Sequence, residues 1–328
     1  SSMNNSKPWK KYPLIASELE EVNQFVQKTI KTPHKSLQAA LLQMADNGGK
    51  YLRPSLLLLA AHAVGKANKQ TIKLASSIEI LHMATLIHDD IIDDSDERRG
   101  NVSIQAAFGK DVAVYTGDLL FTDFFDLMLN AIDENEYLVR NAQTMRKILN
   151  GELGQMAERF NLKQTLDDYL GDIKGKTAAL FRLAAEEGAH FAGGNIDQSN
   201  ALAQFGENLG IAFQIVDDIL DYSGGKQLNK PTLEDLATGV YSLPLLLALN
   251  QPALRDKLLP LLNKKRQMTL ADMQKVQSIL LDSTVIDDSR KLARQYAQKA
   301  IDNLAIFKPN PAVLLLKKLP NSLLTRSF

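Results

Sequence analysis

Cysteine is absent from the 328 residues. That excludes disulfides, thiolate metal sites and cysteine nucleophiles together, and it agrees with a reducing, cytoplasmic setting. Charge of one predominant sign is absent too, since Lys plus Arg and Asp plus Glu number 38 each. No global field therefore recruits nucleic acid or an anionic membrane, and any polyanion must be held locally. No apolar run approaches the roughly 18 to 20 residues that a spanning helix needs, and the first residues lack a signal-peptide core. Ser1 and Ser2, ahead of Met3, read as residues added in front of the natural start, so the reading covers 3–328.

Alternating strand patterns are nearly absent as well. Apolar residues instead recur at helical spacing over 14–30, 36–46, 54–64, 71–94, 111–130, 137–159, 166–191, 198–221, 233–249, 252–263, 269–281, 285–305 and 311–318. Asn47-Gly48-Gly49, Gly100-Asn101, Gly193-Gly194-Asn195, Gly224-Gly225, Pro231 and Pro260 supply the breaks. With 45% apolar residues and no linker or shift in composition, the chain reads as an all-α protein of about a dozen helices in one domain.

One internal echo stands out. Residues 86–93 read LIHDDIID and residues 214–221 read QIVDDILD, the same frame 128 residues apart. On a helix Asp89 and Asp93 lie about 40° apart on one face, with Asp90 about 100° round, and Asp217, Asp218 and Asp221 repeat this. A run of acids is ordinarily a solvated helix face, and Asp133-Glu134-Asn135-Glu136, Asp167-Asp168 and Asp287-Asp288 read so. The two DDxxD runs differ because Leu86, Ile87, Ile91 and Ile92, or Ile215, Val216, Ile219 and Leu220, interleave with the acids. Like charges on a buried helix face need a cation. No basic residue lies within either cluster, so a metal is expected, and Mg²⁺ suits few carboxylates completed by water and phosphate.

A phosphate ligand needs cations of its own. GGKYLRP (48–54), Arg98-Arg99-Gly100, KGKTAAL (174–180) and Lys226 to Lys230 could supply them. GGKYLRP lacks the spacer and ending of a Walker A loop, so a nucleoside triphosphate is not indicated. His82 lies seven residues before Asp89, on roughly the same face, and is expected to touch a ligand; no Ser-His-Asp order or HExxH occurs.

GGKYLRP, EILHMATLIHDDIIDDSDERRG, GKTAAL, FQIVDDILDY and DLATGVYSLPL resemble, in order and spacing, the trans-type polyprenyl diphosphate synthases over residues 40 to 250. The resemblance implies an all-α isoprenoid-synthase bundle, usually dimeric, with two aspartate-rich helices facing a deep cavity. It implies three Mg²⁺ held by Asp89, Asp93 and Asp217, with Asp90, Asp218 and Asp221 in support. Arg98, Lys176 and Lys230 would grip the diphosphate of an allylic substrate, farnesyl or geranyl diphosphate, with Thr177 and Gln214 nearby. Lys50, Arg53, His82 and Arg99 would hold isopentenyl diphosphate. Catalysis would rest on Asp89, Asp93, Arg98, Lys176 and Asp217. Asn229 stands where the family commonly has Gly; Val240 and Ser242 stand where many members have Lys and Thr, so Val240 is left out of the site.

Product length is expected from the helix before Asp89. Ala84 and Thr85 are small where short-chain members carry an aromatic residue. Leu81 and Ile78 lie one turn further up, and Phe121, Phe124 and Phe125 could close a tunnel. A product of six or seven isoprene units is expected, and its apolar tail would draw the protein to a membrane surface. Three other readings stand beside this one: a class I terpene cyclase, a non-catalytic partner subunit, and a catalytic subunit active only with a second, small chain.

Overall fold

The computed structural model describes residues 11–46, 51–224 and 233–325. It is helical almost throughout, and the strand content of the described residues is one two-stranded hairpin. Lys50, at the start of the GGKYLRP stretch, and the whole Lys226 to Lys230 segment, Asn229 included, lie outside the described residues. The chain forms two compact units. The first holds residues 1–142, 180–206 and 303–317; the second holds 143–179, 207–302 and 318–328.

In the first unit, α1 (Ala16–Thr29), α3 (Leu52–Val64) and α6 (Lys110–Ala131) pack around α4 (Lys69–Ile92), with α6 running along most of α4. Leu56 to Ala61 of α3 are all fully buried, as a helix apolar on every side must be. α4 begins at a reciprocal capping box: Asn68 accepts from the Thr71 backbone N–H while the Thr71 hydroxyl accepts from Asn68 N–H. Its interior polar residues satisfy themselves locally, Ser76 Oγ donating to Ile72 O at 2.8 Å and Ser77 Oγ to Leu74 O at 2.7 Å. α2 (Lys35–Asp46) and the short α5 (Ile104–Phe108) complete the part of this unit that flanks the first aspartate row.

The helices α7 (Asn135–Ala157), α9 (Ala179–Phe191), α10 (Ile196–Ser223), α15 (Val285–Asn303) and α16 (Pro311–Leu324) contribute residues to both units. In the second unit Ile211, Ile215, Ile219 and Tyr222 of α10 meet Leu236, Leu243, Leu246, Leu258, Val276 and Leu280 in one core. The last six come from α11 (Glu234–Thr238), α12 (Leu243–Leu249), α13 (Pro252–Leu262) and α14 (Leu270–Leu281). The pattern over 233–249, read above as one helix, is two: Gly239 at φ 79° ends α11, and α12 starts afresh with Pro244 in its first turn.

The pattern over 166–191 is likewise interrupted. α8 (Leu166–Ile173) passes into a π-helical turn, Lys174–Ala178, before α9. An extra residue per turn shifts the face that later side chains occupy, and such turns recur at functional sites.

Candidate active site

The first aspartate row ends α4, with Asp93 as its C-cap. Asp89 is half-buried and Asp93 exposed, whereas Asp90 is only 4% exposed. Its counter-charge comes from a hairpin. Arg98 pairs with Asn101 across β1 (Glu97–Arg98) and β2 (Asn101–Val102), and the two turn residues Arg99 and Gly100 have φ of 54° and 79°. Positive φ at both centres is what the tightest hairpins require; glycine meets it freely, and Arg99 is held there under strain. The hairpin folds Arg98 back so that Nη2 donates to Asp90 Oδ1 at 2.6 Å and Nε to Oδ2 at 3.1 Å. Ser103 Oγ and Gln105 Nε2 both donate to Ser95 O, at 2.6 and 2.7 Å, and fasten the base of the hairpin to the end of α4. Arg98 thus neutralises Asp90 from eight residues away, and the outward carboxylates of this row are Asp89 and Asp93.

At the second position of α3, Arg53 Nη1 lies 3.2 Å from His82 Nε2 of α4, and its guanidinium stacks 4.7 Å from the Phe181 ring centroid. Glu79 sits beneath, 3% exposed, its carboxyl pushed up to about 7 by burial although Arg53 and Arg99 draw it down. His82 is held well below its ordinary value by burial and by Arg53, Arg99 and Arg98. A neutral imidazole accepts from the guanidinium, so the charge of this patch belongs to the arginines. Tyr51, the residue before α3, adopts φ 50° and is pinned by its hydroxyl, which donates to Ala45 O at 2.7 Å and accepts from Asn23 Nδ2 at 2.6 Å. The structure brings Arg53 and His82 into contact and sets the charge of Arg99 close enough to act on both His82 and Glu79; Glu79, three residues before His82, is not singled out by the sequence.

In the second unit, Asp217 is half-buried, and Asp218 and Asp221 are 7% and 1% exposed. Both Asp218 oxygens have partners. Tyr169 OH donates to Oδ2, and Gln214 Nε2 donates to Oδ1 at 2.9 Å; Gln214 Oε1 in turn accepts from Thr177 Oγ1 at 2.8 Å. Burial, and after it the nearby Asp235, pushes the Asp218 carboxyl up. Asp235, like Tyr169, was missed: no spacing within one helix links either to the DDxxD frame.

The π turn positions Lys176 and Thr177. Gly151 of α7 and Gly175 face each other so closely that a Cβ on Gly151 would lie 2.4 Å from Lys176 N, and one on Gly175 2.4 Å from Lys147 O. Only glycine permits that backbone contact. Lys176 Nζ then donates to Gln155 Oε1 at 3.0 Å and lies 3.8 Å from Glu152 Oε2. Val240 lines a cavity of about 10 Å³ with Glu158, Asp172 and Asp218, an apolar residue among acids.

Of the residues tied to product length, Ile78, Leu81 and Ala84 are fully buried, and Thr85 is half-buried with Oγ1 donating to His82 O at 2.7 Å. Phe124 is buried and Phe125 is 38% exposed.

Among the described residues no group of three or more His, Asp or Glu converges tightly enough to hold a metal ion by itself. Mg²⁺ needs only one or two carboxylates, completed by water and phosphate, and the second row fits such an ion: burial, and after it the charges of Asp235 and Asp217, raises the Asp218 carboxyl, and a cation beside it would relieve the repulsion among them.

A family model described as polyprenyl synthetase matches residues 34–280. The chain is 32% identical over 304 residues to the heptaprenyl diphosphate synthase component 2 of Bacillus subtilis (strain 168), covering 92% of this chain and 86% of that protein. Among solved structures, geranylgeranyl pyrophosphate synthase from Lactobacillus brevis ATCC 367 superposes with a TM-score of 0.91 at 38% identity, covering 97% of this chain and 99% of that one. A polyprenyl synthase from Caulobacter crescentus CB15, complexed with calcium and isoprenyl diphosphate, does so with a TM-score of 0.91 at 34% identity, covering 96% of each.

Proposed function

Because this chain belongs to the polyprenyl synthetase family and is a metal-dependent prenyltransferase that joins an allylic diphosphate to isopentenyl diphosphate, we propose that its two aspartate rows work with Mg²⁺. Within the first unit Asp89 and Asp93, and within the second Asp217, would be the carboxylate ligands, with three ions bound per chain. Asp90, Asp218 and Asp221 support them, Asp90 by fixing Arg98. When bound, Mg²⁺ neutralises the charge that develops on departing pyrophosphate.

In the second unit Lys176, with Lys230, takes the allylic diphosphate, and Gln214 and Thr177 orient it; in the first unit Arg98 is the cation proposed for an allylic diphosphate. Arg53, His82 and Arg99, with Lys50, hold the diphosphate of isopentenyl diphosphate. The allylic carbon–oxygen bond breaks heterolytically, and the isopentenyl double bond forms the new carbon–carbon bond to the resulting cation. A proton is then lost to the released pyrophosphate. No protein base is needed, which agrees with His82 being neutral and committed to Arg53. The observation that carries this reading is that α4 of the first unit carries both His82, held against Arg53, and the outward carboxylates Asp89 and Asp93 at its C-terminal end.

Chain length is read from α4: small Ala84 and Thr85 leave depth for six or seven isoprene units from a farnesyl or geranyl diphosphate primer. The names of similar proteins run from geranylgeranyl through heptaprenyl and octaprenyl to decaprenyl, so the number of units rests on these residues. A second copy of the chain is the proposed cover for the exposed face of α6, where Tyr115 and Leu129 are 75% and 57% exposed. The second reading, a catalytic subunit working with a small accessory chain, is favoured by the component 2 name of the Bacillus relative. No helix of the described residues is long and apolar enough to cross a membrane, and a cytoplasmic enzyme drawn to the membrane by its product is the proposed setting. Sizing the products formed from Mg²⁺, farnesyl diphosphate and labelled isopentenyl diphosphate tests the reading. A polyprenyl chain supports it; none, with or without an accessory chain, overturns it.

A further inference from the structure

We propose that Tyr169 is a positioning residue, one that holds Asp218 so that Gln214 and Thr177 keep a single arrangement beside Lys176; this rests on the diphosphate reading above. Tyr169 is 4% exposed, and its ring packs in the core of the second unit with Ile173, Ile215 and Leu236. Packing alone would be served as well by phenylalanine. What distinguishes tyrosine is its hydroxyl, which donates to Asp218 Oδ2.

The bond has a directional consequence. A carboxylate offers only acceptors, so Gln214 meets Asp218 through its amide nitrogen, at 2.9 Å. The amide oxygen is thereby turned toward Thr177, whose hydroxyl donates to it at 2.8 Å. Three hydrogen bonds thus tie α8, the π turn and α10 in one chain, Tyr169 to Asp218, Gln214 to Asp218, and Thr177 to Gln214. Hydrogen bonds to a charged group are the stronger kind, and chains of them act as a unit. With both Asp218 oxygens engaged in this way, Asp218 serves as the anchor of the chain, and Asp217 is left as the outward carboxylate of the pair. Tyr169 also precedes Lys176 by seven residues on the same rod, so fixing Tyr169 to α10 fixes where the π turn delivers Lys176.

Tyr169→Phe removes the hydroxyl and keeps the ring. The ligand-free melting temperature should change by no more than a few degrees. The kcat for elongation should fall roughly tenfold or more while KM for isopentenyl diphosphate stays within about twofold, because Arg53, His82 and Arg99 are untouched. The rise in melting temperature on adding Mg²⁺ with inorganic pyrophosphate should shrink by about half or more. Thr177→Val should reproduce these losses, Thr177→Ser should restore them, and Tyr169→Phe with Thr177→Val should cost no more than the worse single change. A Tyr169→Phe protein with unchanged kcat and unchanged stabilisation, or losses that multiply in the double variant, would overturn the proposal while leaving the diphosphate reading intact. If Tyr169→Phe does not fold, the Thr177→Val and Thr177→Ser pair decides: indistinguishable behaviour overturns the chain. Absence of any Mg²⁺-pyrophosphate stabilisation in the unmodified protein would overturn the diphosphate reading, and this proposal with it.

Discussion

Gly151→Ala is the substitution whose effect the geometry sets most tightly. The added Cβ would stand 2.4 Å from Lys176 N, 2.7 Å from Asp172 O and 3.0 Å from Gly175 C, all backbone atoms. Ordinary contact begins at 3.4 Å, so the π turn must retreat from α7 by about 1 Å. No side chain can swing aside to absorb this. Overpacking of this kind costs roughly 1 to 3 kcal/mol of stability, a melting temperature lower by several degrees. The larger effect is on catalysis. Lys176 and Thr177 ride on the displaced turn, and a misplacement of about 1 Å in a positioning group can cost roughly 100-fold in rate. Steady-state kinetics should therefore show kcat reduced by one to two orders of magnitude, with KM for isopentenyl diphosphate little changed. Gly171→Ala is the control: it sits on the same rod, and a Cβ there meets nothing within 4 Å. A folded Gly151→Ala protein with kcat within about threefold of the unmodified chain would refute the assignment of the π turn to the diphosphate grip.

Two further outcomes are expected. Ala84→Phe places an aromatic ring at a fully buried position of α4 and should shorten the product by at least one isoprene unit, read by chromatography of the dephosphorylated chains; an unchanged length would sink the role given to this level of the helix. Glu187 is 0% exposed, shares a hydrogen bond with Asn141, and its carboxyl is pushed up to about 8 by burial. A carboxyl raised above its unfolded value of 4.5 binds its proton more tightly when folded, so the stability it contributes is complete below that value and is lost as pH rises toward 8. Glu187→Gln should therefore gain on the unmodified chain between pH 5 and 8, by up to about 1.4 kcal/mol per pH unit, in denaturant titrations; a difference that is flat with pH would contradict this.

Much of the fold is legible because helical periodicity and cap chemistry coincide. Thr165 with Asp168, and Thr269 with Asp272, are capping boxes that the structure forms as reciprocal hydrogen bonds. The aspartate row of α4 is legible only in part: Ile87 and Asp90 are buried as apolar residues between acids lead one to expect, but Leu86 and Ile91 are half-buried and Ile92 and Asp93 are exposed where the helix ends. What the sequence did not disclose depends on short or non-local geometry. The expected counter-charge lay within the cluster of Asp90 itself, but a six-residue hairpin is too small to leave a strand pattern, and it returns Arg98 from eight residues away. The π turn hides inside the pattern over 166–191 because one inserted residue barely disturbs an apolar period. Tyr169 and Asp235 reach Asp218 from other elements, and Glu79 gains its meaning only from the arginines packed on it.

Mg²⁺-dependent elongation by the residues described is read from the products that the purified chain forms. With Mg²⁺, farnesyl diphosphate and labelled isopentenyl diphosphate, chains of six or seven isoprene units should accumulate. Chelation of the metal should stop them, and Asp217→Asn should reduce them severely even at saturating Mg²⁺. Elongation that survives chelation, or that is indifferent to Asp217→Asn in a folded protein, would contradict the account.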